Sequence, residues 1–304
     1  MKNRKIHLLV VIVALAAGAS VLGFVPRGGP SGSFAQSRTT KKNVPVEPTV
    51  LTSTTNATAA SATSAAASQN QILREELGWT FGGKQQRGWY LYDELIAKTL
   101  DTKHAPTTNE FAEAVTKWQK KRGLGSSGML DQNSWMAMIS QWQGNRLKDR
   151  TSATPDQLVT ASPSDCYDPS RAVELRQVER ATYEAYRKML AAAIVDLKLA
   201  HTPSGELAPN ERYLKIISAF RSREYQDELR RKSPNSGSAG LAVNSPHFTG
   251  KALDIYVGGD PVDTKDANRA IQVNTPAYKW LVRNADKFGF RPYFYEPWHW
   301  EYVK

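Results

Sequence analysis

Two short histidine-containing segments near the C-terminus constrain the fold of this 304-residue chain more than any other feature. One runs from Ser245 to Asp254 and contains His247, and the other runs from Glu296 to His299. Each segment pairs one of the five histidines of the chain with a carboxylate. Two imidazoles and one carboxylate are a common protein contribution to a catalytic zinc, with the fourth position left to water. We therefore expect a fold that brings both segments together around a metal ion.

The net charge of +11 does not indicate a nucleic-acid-binding protein, because the positive charge is concentrated at one end. Residues 1–70 contain seven Lys and Arg against one Glu, which is more than half of the excess. A basic tail suits anionic wall polymers or membrane surfaces, although a solvated run of charge is the more common explanation. Cys166 is the single cysteine, so the sequence excludes an intramolecular disulfide and a thiolate metal cluster.

The N-terminal residues have the layout of an export signal. Lys2, Arg4 and Lys5 precede an apolar run that extends from Leu8 to about Val25. This run is also near the minimum length of about 18 residues for a membrane-spanning helix. Residues 1–25 are therefore expected to be a cleaved signal peptide or a membrane anchor, and we expect the remaining chain to be exported.

Composition divides the rest of the chain into four segments. Residues 26–70 are rich in Ser, Thr, Ala and Pro and have few large apolar side chains, which predicts a disordered tether. Residues 71–143 show helical periodicity and predict a small all-α domain of three helices. Residues 144–164 are polar and contain two prolines, which is typical of a linker. Residues 165–304 form the last predicted domain and contain both histidine segments.

Aromatic side chains dominate the helical segment. Phe111, Val115 and Trp118 share one face of a helix whose start is indicated by a capping-box spacing at Thr107 and Glu110. A core of aromatic side chains is sufficient to explain this pattern. The run 111–124, followed by 128–135, also resembles the second half of a three-helix peptidoglycan-binding domain, which implies binding to the cell wall.

The first part of the last domain predicts one long helix and one strand. Asp168 and Pro169 suit the N-cap and first position of a helix that reaches about Ala200. Residues 214–218 predict a strand, and a second helix begins near Arg223. Arg221 lies at this strand-to-helix junction, where it is well placed to meet an anionic ligand. A surface position or an ion pair is the alternative for a single arginine.

Residues 252–257 alternate as a strand, with Asp254 on the face opposite to Leu253 and Ile255. An aspartate in the middle of a strand is unfavourable unless its charge is compensated. A metal ion would provide that compensation, and an arginine partner is the alternative.

Two glutamates flank His299 near the C-terminus. On an ideal strand His299 and Glu301 share a face, and Pro297 predicts a bend between Glu296 and that strand. Spacing alone therefore leaves the identity of a general base open between Glu296 and Glu301.

The segments 218–222, 245–254 and 296–299, together with Gln226, resemble the zinc D-alanyl-D-alanine carboxypeptidases of the VanY type. The resemblance implies a compact α+β domain whose antiparallel sheet carries one zinc ion per chain. It also implies a role for each candidate residue: zinc ligation by His247, Asp254 and His299, general base catalysis by Glu296, charge stabilisation by Arg221, and substrate binding by Ser245 and Gln226.

By the same resemblance, the expected function is hydrolysis of the terminal D-Ala-D-Ala bond of peptidoglycan stem peptides in the bacterial cell envelope. The expected partners are those peptides and the cell wall, together with the membrane if the N-terminal segment is not cleaved. Two alternatives are an endopeptidase of the same fold and a non-catalytic wall-binding protein.

Overall fold

The computed structural model describes residues 52–232 and 242–304. These residues form eight α-helices and three small antiparallel sheets. The helices are α1 (Thr52–Glu76), α2 (Asp93–Leu100), α3 (Asn109–Lys121), α4 (Gln132–Gly144), α5 (Arg180–Leu197), α6 (Arg223–Lys232), α7 (Asp266–Val273) and α8 (Pro276–Asn284). The strands are β1 (Gly78–Phe81), β2 (Lys84–Arg87), β3 (Leu158–Thr160), β4 (Gln177–Glu179), β5 (Ile216–Ser218), β6 (Ala252–Ile255), β7 (Phe290–Pro292) and β8 (His299–Tyr302). This mixture of helices and small antiparallel sheets confirms the predicted α+β class.

Helices α1 to α4 and the β1–β2 hairpin form an N-terminal helical unit. The hairpin turns at Gly82 and Gly83, which have φ angles of 57° and 77°. Two consecutive positive φ angles are what a tight two-residue hairpin turn requires, and glycine adopts them without steric cost. The prediction of three helices omits this hairpin and also helix α1.

Helix α1 corrects the predicted tether, which extended to residue 70. Ala66 and Ala67 are buried in contact with Ala112 of α3, and these small side chains let the two helices approach closely. Asn70 is fully buried, donates to the Gly128 carbonyl at 2.9 Å and accepts from the Leu130 amide at 2.8 Å. Composition predicted disorder because large apolar residues are scarce here, whereas a stripe of small residues is sufficient to dock a helix.

The predicted signal or anchor at residues 1–25 and the first part of the tether, up to residue 51, lie outside the described residues. None of the helices within residues 52–232 and 242–304 is both long and apolar enough to cross a membrane.

Strand pairing connects the predicted linker, residues 144–164, with the predicted C-terminal domain. Strand β3, from the predicted linker, pairs with β4 in antiparallel register. Helix α5 consequently begins at Arg180, with the Glu179 side chain accepting from the Thr182 amide at 2.7 Å, and not at Asp168 as predicted. Pairing with a distant strand overrides the local helix signal. The predicted apolar face of α5 is buried at Tyr186, Met189, Leu190 and Ile194.

The main sheet has the strand order β5-β6-β8-β7 and is antiparallel throughout. Its two central strands, β6 and β8, carry one histidine segment each. The register places Asp254 opposite His299 and Ala252 opposite Glu301. Residues that are 45 positions apart in the sequence therefore become direct neighbours.

Aromatic side chains join the helical unit to the C-terminal unit. The ring of Phe294, just before the second histidine segment, lies 4.8 Å from Phe81, 5.6 Å from Tyr92 and 5.8 Å from Trp142. Aromatic rings at these separations contribute specific packing beyond the area that they bury. The two units share one continuous hydrophobic core.

Candidate metal centre

His247, Asp254 and His299 converge at the centre of the main sheet. One ligand atom from each lies within 4.8 Å of the others, and all three residues are at most 3% exposed. A carboxylate buried between two imidazoles is costly unless a cation compensates its charge. Two histidines and one aspartate are a donor set that fits zinc.

A tight turn positions His247. Residues 246–249 form one turn of 3-10 helix, and the Ser245 hydroxyl accepts from the His247 amide at 3.3 Å. Gly250 ends the turn with a φ of 67°, and its carbonyl accepts from the Glu179 amide of β4 at 3.1 Å. A Cβ atom at position 250 would lie 2.8 Å from that amide nitrogen. Glycine is therefore required both for the backbone angle and for the close approach of β4.

Each imidazole presents one nitrogen to Asp254 and the other to a second acceptor. In His247, Nε2 lies 3.3 Å from Asp254 Oδ1, and Nδ1 lies 2.6 Å from the Ala219 carbonyl. In His299, Nδ1 lies 2.9 Å from the same Oδ1 atom, and Nε2 lies 3.3 Å from Glu301 Oε1. Metal-binding histidines are commonly oriented in this way, through a hydrogen bond from the nitrogen that does not bind the metal. If a metal ion is bound here, Nε2 of His247 and Nδ1 of His299 are the nitrogens that face it together with Asp254 Oδ1.

The electrostatics of the cluster suit a cation. Burial and the nearby Arg221 charge lower the pKa of His247 to about 4, which keeps that ring neutral. Burial opposes the ionisation of Asp254, but His247 and Arg221 hold its pKa well below the ordinary value. Burial likewise lowers the pKa of His299, whereas its hydrogen bonds to Asp254 and Glu301 raise it to about 9 in total. A metal ion would compete with the proton on His299, since metal binding requires the neutral ring.

Arg221 binds the second oxygen of Asp254. Its guanidinium donates to Asp254 Oδ2 at 2.5 Å and to the Ser218 hydroxyl at 2.9 Å. This ion pair is the alternative that the sequence left open for a mid-strand aspartate. Asp254 Oδ1 still faces both imidazoles, so the arginine and a metal ion do not compete for one oxygen atom.

The two candidate substrate-binding residues, Gln226 and Ser245, have partners within the protein. Gln226 is buried, its amide nitrogen donates to the Ala242 carbonyl at 3.1 Å, and its oxygen lies 3.5 Å from an Arg221 nitrogen. Ser245 caps the turn that carries His247. In the structure Gln226 thus supports Arg221, and Ser245 supports His247.

The two glutamates near His299 have different surroundings. Glu296 lies in a turn in which its amide donates to the Tyr293 carbonyl and its carbonyl accepts from the His299 amide. Its side chain makes no hydrogen bond or ion pair with the residues that the structure describes, and burial raises its pKa to about 7. Glu301 is fully buried and forms ion pairs with Arg146 at 2.5 Å and Arg150 at 3.4 Å. Burial opposes ionisation of Glu301, but His299 and Arg146 hold its pKa well below the ordinary value.

Arg146 and Arg150 are site residues that sequence reasoning missed. Both lie in the segment predicted as a linker, about 150 positions before Glu301. In the sequence, only Glu301 indicated that such arginines are needed. It is predicted to share a strand face with the candidate ligand His299, and a carboxylate buried in such a position needs a positively charged partner.

Comparison with known proteins covers the C-terminal part of the chain. Residues 176–304 match the family model of VanY, D-alanyl-D-alanine carboxypeptidase. No curated protein sequence matches this chain. Among solved structures, the LdcB LD-carboxypeptidase, described in a study of peptidoglycan recognition, is 24% identical, with a TM-score of 0.35. That match covers 50% of this chain and 70% of the other. Residues 176–304 are thus similar to the VanY family of D-alanyl-D-alanine carboxypeptidases, over less than half of the chain.

Proposed function

We propose that this chain is a zinc-dependent D,D-carboxypeptidase that removes the terminal D-alanine from peptidoglycan stem peptides. The observation that carries the proposal is the buried cluster of His247, Asp254 and His299. Glu296 lies in the turn just before β8, and its carboxylate forms no ion pair or hydrogen bond with the residues that the structure describes. The match of residues 176–304 to a peptidase family model supports a hydrolytic role for that cluster.

His247, Asp254 and His299 would hold the zinc ion through one atom each. Zinc bound by such a donor set supplies Lewis acidity, which activates water and polarises a carbonyl group at neutral pH. The protein contributes the fixed orientation of the ligands, through the Ala219 carbonyl, Glu301 and Arg221.

Glu296 is proposed as the general base. It takes a proton from the attacking water and returns it to the leaving amine of D-alanine. Glu301 is poorly suited to this task because its oxygens already accept from Arg146, Arg150 and the Leu147 amide. The contacts of the two side chains thus favour the same residue that the family resemblance implies.

Arg221 is proposed to stabilise the negative charge that develops on the substrate carbonyl oxygen. A positive group already oriented toward that oxygen costs no reorganisation during the reaction. Its contacts with Asp254 and Ser218 provide that orientation. For Ser245 and Gln226 we propose an indirect contribution to substrate binding, since each supports a neighbouring functional residue.

We further propose that the enzyme acts outside the cytoplasm, at the bacterial cell envelope. Stem peptides are part of the cell wall, and the basic and apolar residues at the N-terminus have the pattern of an export signal. Binding of the helical unit to the wall is a further expectation from its resemblance to peptidoglycan-binding domains.

The test is mass spectrometry of a synthetic pentapeptide ending in D-Ala-D-Ala, incubated with the full chain. Loss of one alanine that a chelator abolishes and zinc restores is the expected result. An intact pentapeptide with cleaved crosslinked muropeptides would replace the proposal by an endopeptidase. A zinc-loaded protein that binds cell walls and cleaves neither substrate would favour the non-catalytic alternative.

A further inference from the structure

Glu301 is a buried carboxylate directly behind the His299 ring. Its Oε1 atom lies 3.3 Å from His299 Nε2, the nitrogen that faces away from Asp254. The same carboxylate accepts from Arg146 Nε at 3.1 Å, from a second Arg146 nitrogen at 2.5 Å, and from the Leu147 amide at 2.9 Å. Glu301 therefore connects a candidate metal ligand to another part of the chain.

The donors that neutralise Glu301 come from one segment, residues 146–150. That segment immediately follows helix α4 and lies outside residues 176–304, the part that matches the peptidase family model and is called the peptidase domain below. Within the described part of the chain, the Lys and Arg side chains that form ion pairs with Glu301 are Arg146 and Arg150. The charge balance behind the metal centre is thus supplied from outside the peptidase domain.

Arg146 also contacts the turn that carries Glu296. Its guanidinium lies 3.9 Å from the centre of the Tyr293 ring, and the Tyr293 ring packs edge-on against His299 at 5.9 Å. A guanidinium over an aromatic face is attracted by the ring electrons. Arg146 therefore contacts one end of the turn directly, at Tyr293, and is connected to the other end, His299, through Glu301.

The helical unit fixes the position of Arg146. Gln143 of α4 accepts from an Arg146 nitrogen at 3.3 Å, and Trp142, the preceding residue, packs on Phe294 at 5.8 Å. Docking of α4 on the peptidase domain thus places the guanidinium beside Glu301.

We infer that Arg146 and Glu301 form a positioning pair, through which the helical unit and the segment after it hold the His299 ring in the orientation that binds metal. The inference rests on the proposed function, because it assumes a metal ion at this centre. A carboxylate that accepts from the distal nitrogen of a metal-binding histidine orients the ring and raises its affinity for the metal. Without Arg146 the Glu301 carboxylate loses its closest cation in a buried site, where an undercompensated charge is strongly unfavourable.

The test is the zinc affinity of the full chain, measured by competition with a chelator for wild type, Arg146→Ala, Glu301→Gln and the double variant Arg146→Ala/Glu301→Gln. We expect zinc affinity to fall about 10- to 100-fold in Arg146→Ala and Glu301→Gln, the range seen when such outer partners are lost. Because Arg146 acts through Glu301, we expect the zinc affinity of the double variant to be no lower than that of Glu301→Gln alone. A purely structural role would not produce that non-additivity in metal affinity.

Arg283→Ala is the matched control. Arg283 forms an ion pair with Glu94 at 3.0 Å across the same interface between the two units, but neither residue contacts the metal centre. The zinc affinity of Arg283→Ala should equal that of wild type.

Three results would overturn the inference: wild-type affinity in Arg146→Ala, an equal loss in Arg283→Ala, or additive losses in the double variant. If Arg146→Ala does not fold, the zinc affinity of the double variant decides, since that variant removes both charges of the Arg146–Glu301 pair. Failure of the wild-type chain to bind zinc would instead refute the proposed function.

Discussion

Asp254 and His299 face each other across strands β6 and β8, with Asp254 Oδ1 2.9 Å from His299 Nδ1. The pairing places one candidate metal ligand from each histidine segment on adjacent central strands of the sheet. Backbone hydrogen bonds hold both strands, so the spacing of these two ligands depends on the sheet and not on a loop.

Replacing Glu296 with glutamine should abolish hydrolysis while zinc binding is retained. The amide cannot accept the proton from water, and loss of a general base typically reduces the rate about 10²- to 10⁴-fold. The measurement is the turnover number on a D-Ala-D-Ala pentapeptide together with the zinc content. Glu184→Gln, an exposed position on α5, is the control and should retain wild-type turnover. Normal hydrolysis by Glu296→Gln would contradict the assignment of the base.

Removal of zinc should lower the thermal stability of the wild-type protein, because a ligand that binds only the folded state stabilises it. In His247→Ala, zinc should no longer raise the melting temperature, since one of the three proposed ligands is missing. The measurement is the melting temperature with zinc and with excess chelator. His201→Ala provides the comparison, because His201 is exposed, is not one of the three clustered residues, and places a ring nitrogen 3.0 Å from the Leu199 carbonyl. An equal zinc response in His247→Ala and wild type would exclude this residue as a ligand.

Substitution of Asn70 with alanine should destabilise the helical unit. The change leaves the Leu130 amide and the Gly128 carbonyl buried without their partner, which typically costs about 1–3 kcal/mol for each group. Chemical denaturation measures the free energy of unfolding. Ser68→Ala, on the exposed face of the same helix, should change that free energy by less than about 0.5 kcal/mol. If both variants unfold like wild type, residues 60–70 do not pack as a helix in solution.

Gly250→Ala should destabilise the C-terminal unit and weaken zinc binding together. The positive φ angle costs a residue with a side chain about 1–3 kcal/mol, and the added Cβ atom would clash with the Glu179 amide. Denaturation and chelator competition provide the two measurements. Gly144→Ala, at the end of α4, has open space around the new Cβ atom and should be tolerated. A stable Gly250→Ala variant with full zinc affinity would show that β4 does not constrain the turn of His247.

Much of the local structure followed from the sequence. The helical face of Phe111, Val115 and Trp118 is buried as its periodicity predicts, and helix α6 begins at Arg223 as expected. The strand that carries Asp254 was also predicted, although it ends at Ile255 and not at Val257. Such features depend on residues within one or two turns of each other, and residue type and spacing therefore determine them.

Residue types and family motifs likewise determined the set of candidate site residues. Histidine, aspartate and glutamate have a limited range of metal and proton chemistry, and the spacing of 245–254 and 296–299 is specific. The sequence alone thus predicted the three candidate ligands, both possible bases and the α+β class.

Only the tertiary structure decided how the remaining polar groups are used. Glu296 and Glu301 are equivalent candidates by residue type. They differ because Arg146, about 155 positions earlier, forms an ion pair with Glu301, whereas the Glu296 side chain has no such partner among residues 52–232 and 242–304. The docking of α1 on α3 and the pairing of β3 with β4 were likewise visible only in the tertiary structure. Each depends on a partner that is distant in the sequence, and local periodicity contains no information on which distant surfaces will meet.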